Sequence, residues 1–326
     1  MSDKIALSAW PTPVEPAPRL AAALGLGEND LWIKRDDLTG LGGGGNKVRK
    51  LEWTAGAALA EGADTLVTTG AAQSNHARLT AAAAARLGLD AVLVLPGTPG
   101  SVTSNSGNLV LDGLLGARIH WAGDGDRGVL AGAADDVCRQ LRREGARPCL
   151  IPFGGSSPLG ARGYVECGEE LLDQLHDVDH VVVALGSGGT MAGLIAALGE
   201  ERVLGVHCGA VADPARVVAD LTGALTRRSV TPDSLRIRTD QVGAGYGFLH
   251  EPAFEAMRIA ATTEGIVLDP VYSGRAMAGL IAAVEDGDIR PGRRTVFLHT
   301  GGLPGLFGHM EAVHRSVTGL RSYSAV

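Results

Sequence analysis

Eight short apolar runs are spaced along this chain with helix-like stretches between them. That alternation narrows the possible folds more than any other feature. The runs cover residues 31–33, 65–68, 91–95, 118–121, 148–151, 180–185, 202–207 and 295–299. A run that is apolar throughout, without polar alternation, suits a strand buried on both faces, as happens when helices cover a parallel sheet. Helical patterns lie at 71–88 and 189–198. Two strand–turn–helix units follow one another at 65–87 and 91–115, with no repeat of fixed period. The expected fold class is therefore α/β, with parallel-rich sheets flanked by helices. A length of 326 residues suits two domains. No linker rich in Pro, Ser or charge divides the chain, which fits one domain inserted into the other.

Composition excludes several roles. The chain is 45% hydrophobic and 20% charged, enough to bury a core and remain soluble. It has 47 glycines but only 4% aromatics, as expected where loops approach a ligand by backbone. The net charge is −7, and the arginine pairs 142–143, 227–228 and 293–294 are isolated, so neither nucleic acid nor an anionic membrane is an expected partner. Residues 181–199 are uncharged over about the length of a membrane span, but Gly186-Ser187-Gly188-Gly189-Thr190 interrupts them, which fits a buried strand, a turn and a helix. Cys138, Cys149, Cys167 and Cys208 form no C-x-x-C pair and read as reduced thiols of a cytoplasmic protein. Asp3 and the proline-rich stretch 11–18 leave no apolar region for a signal peptide. His176 and His180 stand at helical spacing in an acidic segment with no third ligand, which fits a solvated helix face and no metal site.

The stretch 40–52, G-L-G-G-G-G-N-K-V-R-K-L-E, carries the strongest chemical signal. Gly40, Gly42 and Gly45 match the dinucleotide spacing G-x-G-x-x-G, which keeps a nicotinamide-dependent oxidoreductase as an alternative. Asn46 separates Gly45 from Lys47, so the stretch is not a P-loop. A tight turn followed by an exposed lysine is the plainer alternative. A lysine beside four glycines, however, lies where backbone and a flat ring can approach closely. At a helix start, the dipole and burial disfavour the ammonium form and leave a nucleophilic amine, which a Schiff base with an aldehyde requires.

Further segments fit this reading. Q-S-N-H at 73–76 enters a helix and offers hydroxyl, amide and backbone N–H donors to an anion; capping by Ser74 or Asn75 is the plainer account. G-S-G-G-T at 186–190 joins an apolar run to a helical stretch, as a phosphate cradle of backbone N–H groups would. Two of only four tyrosines, Tyr246 and Tyr272, lie in the glycine-containing segments G-A-G-Y-G and L-D-P-V-Y-S-G, where half-buried packing is the alternative.

The segment K-R-D-D-L-T-G-L-G-G-G-G-N-K-V-R-K-L-E at 34–52 resembles the D-cysteine desulfhydrase / 1-aminocyclopropane-1-carboxylate (ACC) deaminase family. The likeness extends over nearly the whole chain through the segments above, P-F-G-G-S-S-P-L-G at 152–160 and F-L-H-T-G-G at 297–302. These are pyridoxal-phosphate (PLP) enzymes of fold type II, like the tryptophan synthase β subunit. The resemblance implies a Schiff base on Lys47 and help from Lys50 in neutralising the phosphate. It places Ser74 near the reacting carbons, Asn75 near the PLP hydroxyl or the substrate carboxylate, and His76 in the same substrate loop. Gly186, Ser187, Gly188, Gly189 and Thr190 would hold the phosphate. Gly154, Gly155 and Ser156 would stand at the mouth. Tyr246 and Tyr272 would meet the ring, Thr300 would face its nitrogen, and Ser273 would lie on the substrate side. The implied catalytic set is Lys47, Ser74, Tyr246 and Tyr272. The implied assembly is a homodimer, each chain having a large domain (1–48 and 160–326) and a small one (49–159) with PLP in the cleft.

Position 300 helps to separate substrates. ACC deaminases are expected to carry Glu after the second tyrosine and Leu in place of the threonine, whereas this chain has Ser273 and Thr300, the desulfhydrase pattern. Opening a cyclopropane that lacks a Cα–H demands more of the cofactor's electron sink than losing thiolate from Cβ. The expected activity is β-elimination from D-cysteine to pyruvate, ammonia and hydrogen sulfide. L-cysteate sulfo-lyase, ACC deaminase and a non-catalytic PLP-binding protein are the alternatives. Val48 stands where Thr is common, and Arg275 stands where Lys is usual.

Overall fold

The computed structural model describes residues 4–100 and 106–320. Its strands are β1 (Val14–Pro16), β2 (Leu31–Lys34), β3 (Thr65–Thr69), β4 (Asp90–Leu95), β5 (Arg118–Trp121), β6 (Pro148–Leu150), β7 (His180–Leu185), β8 (Val203–His207), β9 (Arg236–Arg238) and β10 (Thr295–Leu298). Its helices are α1 (Pro18–Ala23), α2 (Lys47–Ala60), α3 (Asn75–Leu87), α4 (Asn108–Leu114), α5 (Arg127–Arg143), α6 (Pro158–Gln174), α7 (Gly189–Leu198), α8 (Pro214–Thr226), α9 (Glu251–Glu264), α10 (Ser273–Glu285), α11 (Leu303–Phe307) and α12 (Met310–Thr318).

The strands form a six-stranded sheet, ordered β1-β2-β10-β7-β8-β9, and a four-stranded sheet, ordered β5-β4-β3-β6. Every pairing is parallel except β1 with β2. The strands of the smaller sheet all fall between β2 and β7 in the chain. Alternate residues of the central strands feed opposite cores, which is why the runs show no polar alternation. In β7, Val182 and Ala184 pack with α9 and α10 through Met257, Ala260 and Leu280. Val181, Val183 and Leu185 pack with α6 and α7 through Cys167, Leu171 and Leu194. In the smaller sheet, Leu66 and Leu93 face Leu51 of α2 and Leu79 of α3, while Val67 and Val94 face Leu130 and Val137 of α5.

Strand order fixes where a ligand can sit. From β3 the chain builds outward through β4 and β5, then returns to place β6 on the other side of β3. From β7 it builds outward through β8 and β9, then returns to place β10 on the other side. Each reversal opens a crevice beyond the carboxyl end of the central strand. The loop 70–74 leaves β3 there, and 186–188 leaves β7.

The eight expected strands are all present, with ends shifted by a residue or so. Two more, β1 and β9, occupy the edges of the larger sheet. Both are short and partly exposed, reading Val-Glu-Pro and Arg-Ile-Arg, so they lack an apolar run. An edge also tolerates the proline that argues against a central strand. The helix expected over 71–88 begins only at Asn75, because Ser74 is extended and its Oγ accepts from the Ala77 N–H as an N-cap. The solvated helix face expected for His176 and His180 is corrected. Helix α6 ends at Gln174, Asp177 turns the chain at φ 60°, and His180 opens β7. The uncharged stretch 181–199 comprises β7, a loop and α7. Among the described residues no helix is long and apolar enough to cross a membrane.

Candidate active site

Lys47 is the first residue of α2, and the glycines before it are anchored from three sides. The Asn46 N–H donates to the Thr300 carbonyl at 3.0 Å, which ties the loop to the end of β10. The Gly45 N–H donates to Thr39 Oγ1 at 2.8 Å. From α3, the buried guanidinium of Arg78 donates to the Gly42 carbonyl and, at 3.1 Å, to the Gly44 carbonyl. Burial pushes the Lys47 amine down from 10.5 to about 8, against an opposing hydrogen bond from Lys50. In cofactor-free protein the rate of aldehyde capture should therefore rise about tenfold per pH unit below 8 and level off above it, since only the neutral amine attacks. Stopped-flow absorbance during PLP uptake measures this.

Lys50 lies three residues along the same helix face. It is fully buried, with Nζ donating to the Gly154 carbonyl at 3.3 Å and to Ser156 Oγ at 3.0 Å. Ser156 Oγ also accepts from the Gly189 N–H at 3.1 Å and meets Ser187 Oγ at 2.7 Å. Lys50, two hydroxyls and the N-terminus of the ten-residue α7 thus converge on one spot. A Cβ on Gly189 would stand 2.7 Å from Ser156 Oγ and 3.0 Å from Lys50 Nζ. Asn46 Nδ2 closes the cradle by donating to Thr190 Oγ1 at 3.1 Å. Burial, then Lys47, push the Lys50 amine well below the usual lysine range, and an anion in the cradle would favour its protonated form. These donors, the Lys50 amine and a helix N-terminus suit a phosphate.

The cleft between the two sheets is lined by Lys47, Ser74, Asn75, His76, Gly186, Ser187, Gly188, Thr190, Tyr246, Tyr272 and Thr300. On the smaller-sheet side, the polarity of Asn75 is fixed by its neighbours. Arg78 can only donate, and its Nη2 lies 3.4 Å from Asn75 Oδ1. Asn108 Nδ2 donates to the same oxygen at 3.1 Å and to the Gln73 carbonyl at 2.9 Å. With its oxygen engaged away from the cleft, the Asn75 amide is left to act as a donor. Burial, then Lys47 and Lys50, push His76 well below the usual histidine range, so the ring is neutral; its Nε2 bonds Thr68 Oγ1 at 3.0 Å.

On the larger-sheet side, Tyr246 and Tyr272 share a hydrogen bond between hydroxyls at 2.7 Å, with rings crossed at 66°. Asp269 shapes the turn that presents Tyr272, accepting from the N–H groups of Val271, Tyr272 and Ser273. Burial pushes the Tyr272 phenol well above the usual tyrosine range, and loss of solvent around the Tyr246 hydroxyl raises it too, though one edge of that residue stays exposed; both remain protonated donors at neutral pH. Ser273, Gly155, Gly189 and Lys50 do not line the cleft. Gly155 and Lys50 stand behind it, where a Cβ on Gly155 would come 3.3 Å from both His76 and Lys50. The Ser273 hydroxyl is turned inward and donates to Asp269 Oδ1 at 2.7 Å. Sequence reasoning passed over Asn46, Phe153, Arg78 and Asn108. Phe153 adjoins the noticed Gly154-Gly155 pair, and Asn46 sits within the quoted glycine motif; Arg78 and Asn108 lie outside any motif read for chemistry. Among the described residues no group of acidic, His or Cys side chains could hold a metal, and the four cysteines are unpaired.

Two parallel-rich sheets that converge on a lysine and an anion cradle define an α/β enzyme of the class that holds a phosphorylated aldehyde cofactor. The chain belongs to the pyridoxal-phosphate dependent enzyme family, whose model matches residues 5–301. Two curated relatives, from Pyrococcus abyssi and Pyrococcus horikoshii, bear the name "Putative 1-aminocyclopropane-1-carboxylate deaminase". The first is 40% identical over 94% of each chain and the second 39% over 93% of each. A crystal structure described as an ACC deaminase homologue is 37% identical, has a TM-score of 0.86, and is matched over 96% of this chain and 95% of its own. Threonine deaminase isoform 2 from Solanum lycopersicum shares the fold at 19% identity and a TM-score of 0.65, matched over 96% of this chain and 85% of its own. The chain is thus a PLP-dependent enzyme of the ACC deaminase / D-cysteine desulfhydrase type, with fold type II.

The residues present fit the cofactor. A Cβ on Gly154, at φ +64°, would lie 2.2 Å from Ser187 Oγ and 3.5 Å from Lys47 Nζ, so the space between amine and cradle exists only because this residue is glycine. Gly154→Ala should lower stability by about 1–3 kcal/mol and weaken PLP retention at least tenfold, because the methyl displaces Ser187 from the cradle and the backbone is left-handed. Thermal melting and PLP titration check the two effects.

Proposed function

We propose that the enzyme catalyses β-elimination from D-cysteine, which with water gives pyruvate, ammonia and hydrogen sulfide. The observation that carries this reading is the absence of any carboxylate from the cleft lining among the described residues, with the Thr300 hydroxyl on the wall. PLP, when bound, supplies an aldehyde for the substrate amine and a ring that accepts the electron pair released at Cα. Thr300, set against the ring nitrogen, would offer only a neutral hydroxyl and would not hold that nitrogen protonated, so the sink would be moderate. That suffices for substrates with an acidic Cα–H and a good leaving group, and thiolate is one.

The chain's residues divide the work. Lys47, the amine on the cleft wall, would hold the cofactor aldehyde, and its free amine would take the Cα proton. Lys50 and the loop 186–190 hold the phosphate. Asn75, left as a donor by Arg78 and Asn108, binds the substrate carboxylate or the cofactor hydroxyl; Ser74 stands beside the reacting carbons. Tyr246 passes a proton to the departing sulfur, and Tyr272 keeps its hydroxyl aimed. The inward turn of Ser273 onto Asp269 supports a positioning role for that hydroxyl over substrate contact.

A second reading, ring opening of ACC, is favoured by the names of the two Pyrococcus relatives. L-cysteate, which would lose sulfite, is a third substrate worth testing. We also read the protein as a homodimer, supported by exposed Leu303, Phe307, Met310 and Val317 on and around α11 and α12; size-exclusion chromatography tests this. The substrate assay offers D-cysteine, L-cysteine, L-cysteate and ACC to the holoenzyme and measures the 2-oxo acid with sulfide or sulfite. Pyruvate with equimolar sulfide from D-cysteine supports the proposal. 2-Oxobutyrate from ACC alone overturns it in favour of the second reading, and no turnover of any amino acid would favour a non-catalytic PLP-binding protein.

A further inference from the structure

We propose that Arg275 is a positioning residue for Tyr246: its guanidinium latches the loop 243–248 over the cleft and sets the tyrosine hydroxyl against Tyr272. The inference rests on the proton-donor role proposed for Tyr246. Arg275 lies in the first turn of α10 and is fully buried. A buried cation costs stability unless it is paired. Yet none of the ion pairs among the described residues involves Arg275, whose partners are carbonyls. Nη1 donates to the Cys208 carbonyl at 2.8 Å, beyond the end of β8. Nη2 donates to the Gly245 carbonyl at 2.8 Å and the Phe248 carbonyl at 2.7 Å. One planar fork therefore ties the end of a central strand to the two peptide groups that bracket Tyr246.

The loop has little else to hold it. It belongs to no strand or helix, and Gly243, Ala244, Tyr246, Gly247 and Phe248 are exposed. The Gly245 N–H closes a turn on the Val242 carbonyl at 3.4 Å, and His309 Nε2 meets the Gly247 carbonyl at 2.9 Å. Of these contacts, only Arg275 reaches both sides of Tyr246 from the rigid core. A guanidinium spans three carbonyls because its donors diverge in one plane, whereas a lysine ammonium concentrates its donors at one point on a shorter reach. Arginine at 275 thus holds both sides of the tyrosine at once, which a lysine there would not.

The test uses the holoenzyme with Arg275→Lys and Arg275→Met. Hydrogen exchange of the Gly245 amide, the one N–H of 243–248 with a hydrogen-bond partner among the described residues, reads the latch without reference to any substrate. Exchange should quicken about tenfold in Arg275→Met and less in Arg275→Lys, with α10 unchanged, since the loop loses its main anchor. A double-mutant cycle with Tyr246→Phe, on whichever amino acid is turned over, reads the coupling. Arg275→Met should lower kcat about 10- to 100-fold with Tyr246 present but less than about threefold in the Tyr246→Phe background, because residues acting as a unit are not additive. If Arg275→Met does not fold, the same comparison is made with Arg275→Lys at smaller amplitude. Wild-type exchange in the loop would overturn the latch whatever the substrate proves to be. Quickened exchange with losses that multiply across the cycle would overturn the action through Tyr246. If exchange quickens and the cycle couples while D-cysteine is inert, the latch stands and the substrate assignment alone falls.

Discussion

Lys47→Ala should lower turnover by about 10⁴-fold or more, because on the roles proposed for it the substitution removes the cofactor's anchor and the base at Cα in one step. The purified variant should lose the visible absorbance of the holoenzyme. Borohydride reduction of the wild type should fix the cofactor's mass on the peptide carrying Lys47 and leave Lys50 unlabelled. The distinction follows from geometry. Lys47 lines the cleft, while Lys50 is buried behind it with its Nζ donating to Gly154 and Ser156. Lys50→Ala should accordingly keep a trace of activity while weakening phosphate retention. Labelling at Lys50 in the wild type would reverse the two roles.

The largest expected loss of stability lies beneath the helix that carries Lys47. Arg49, two residues on, donates to both oxygens of Asp36 at 2.8 and 2.9 Å, and Tyr164 and Thr12 donate to the same carboxylate at 2.6 and 2.8 Å. Arg49 reaches Glu170 at 2.8 Å, Lys34 meets Glu170 at 2.8 Å, and the Arg49 guanidinium stacks 4.0 Å from the Trp10 ring. Two cations and two anions are balanced in a site where Asp36 and Lys34 are wholly buried and Arg49 nearly so. Asp36→Asn should cost about 3–5 kcal/mol, the expected result of leaving a buried arginine half-paired. Burial pushes the Asp36 carboxyl up, but Arg49, with Tyr164 and Lys34, more than offsets this and holds it below the usual carboxylate range. A depressed folded-state value means that the contribution is fully present above the unfolded value near 4 and is lost as pH falls through the lower folded value. Urea unfolding at several pH values should show a constant gap between wild type and Asp36→Asn from about pH 5 to 8, narrowing below about 4. A gap that closes between pH 6 and 8 would mean that the arginine is satisfied by other means.

The parts of this molecule that were legible in its sequence share a physical cause. The central strands are buried on both faces, so 65–68, 91–95, 180–185 and 202–207 had to be apolar runs and could be read as such. The edge strands β1 and β9 face water on one side, and no comparable demand marks them. In the cleft, Lys47, the loop 186–190 and the two tyrosines stood out because chemistry at a loop requires rare residues or small ones in one place. Ser273 shows the limit of motif reading. It has a place beside the second tyrosine, but its hydroxyl turns inward to Asp269, and nothing in a one-dimensional pattern gives that direction. Arg78, Asn108 and Arg275 act on segments distant from them in sequence, through backbone carbonyls or another amide, so their effect depends on a geometry that only the folded chain supplies.

The central claim is that this cleft, with Thr300 on its wall and no carboxylate among its described lining residues, serves elimination of thiolate in preference to ring opening. The most direct measurement is kcat/KM for D-cysteine and for ACC on one preparation of holoenzyme, following pyruvate and 2-oxobutyrate separately. The account predicts pyruvate from D-cysteine with ACC at least about 10²-fold slower, the discrimination expected when a site is built for one reaction and lacks a group the other needs. Comparable or faster formation of 2-oxobutyrate from ACC would contradict it.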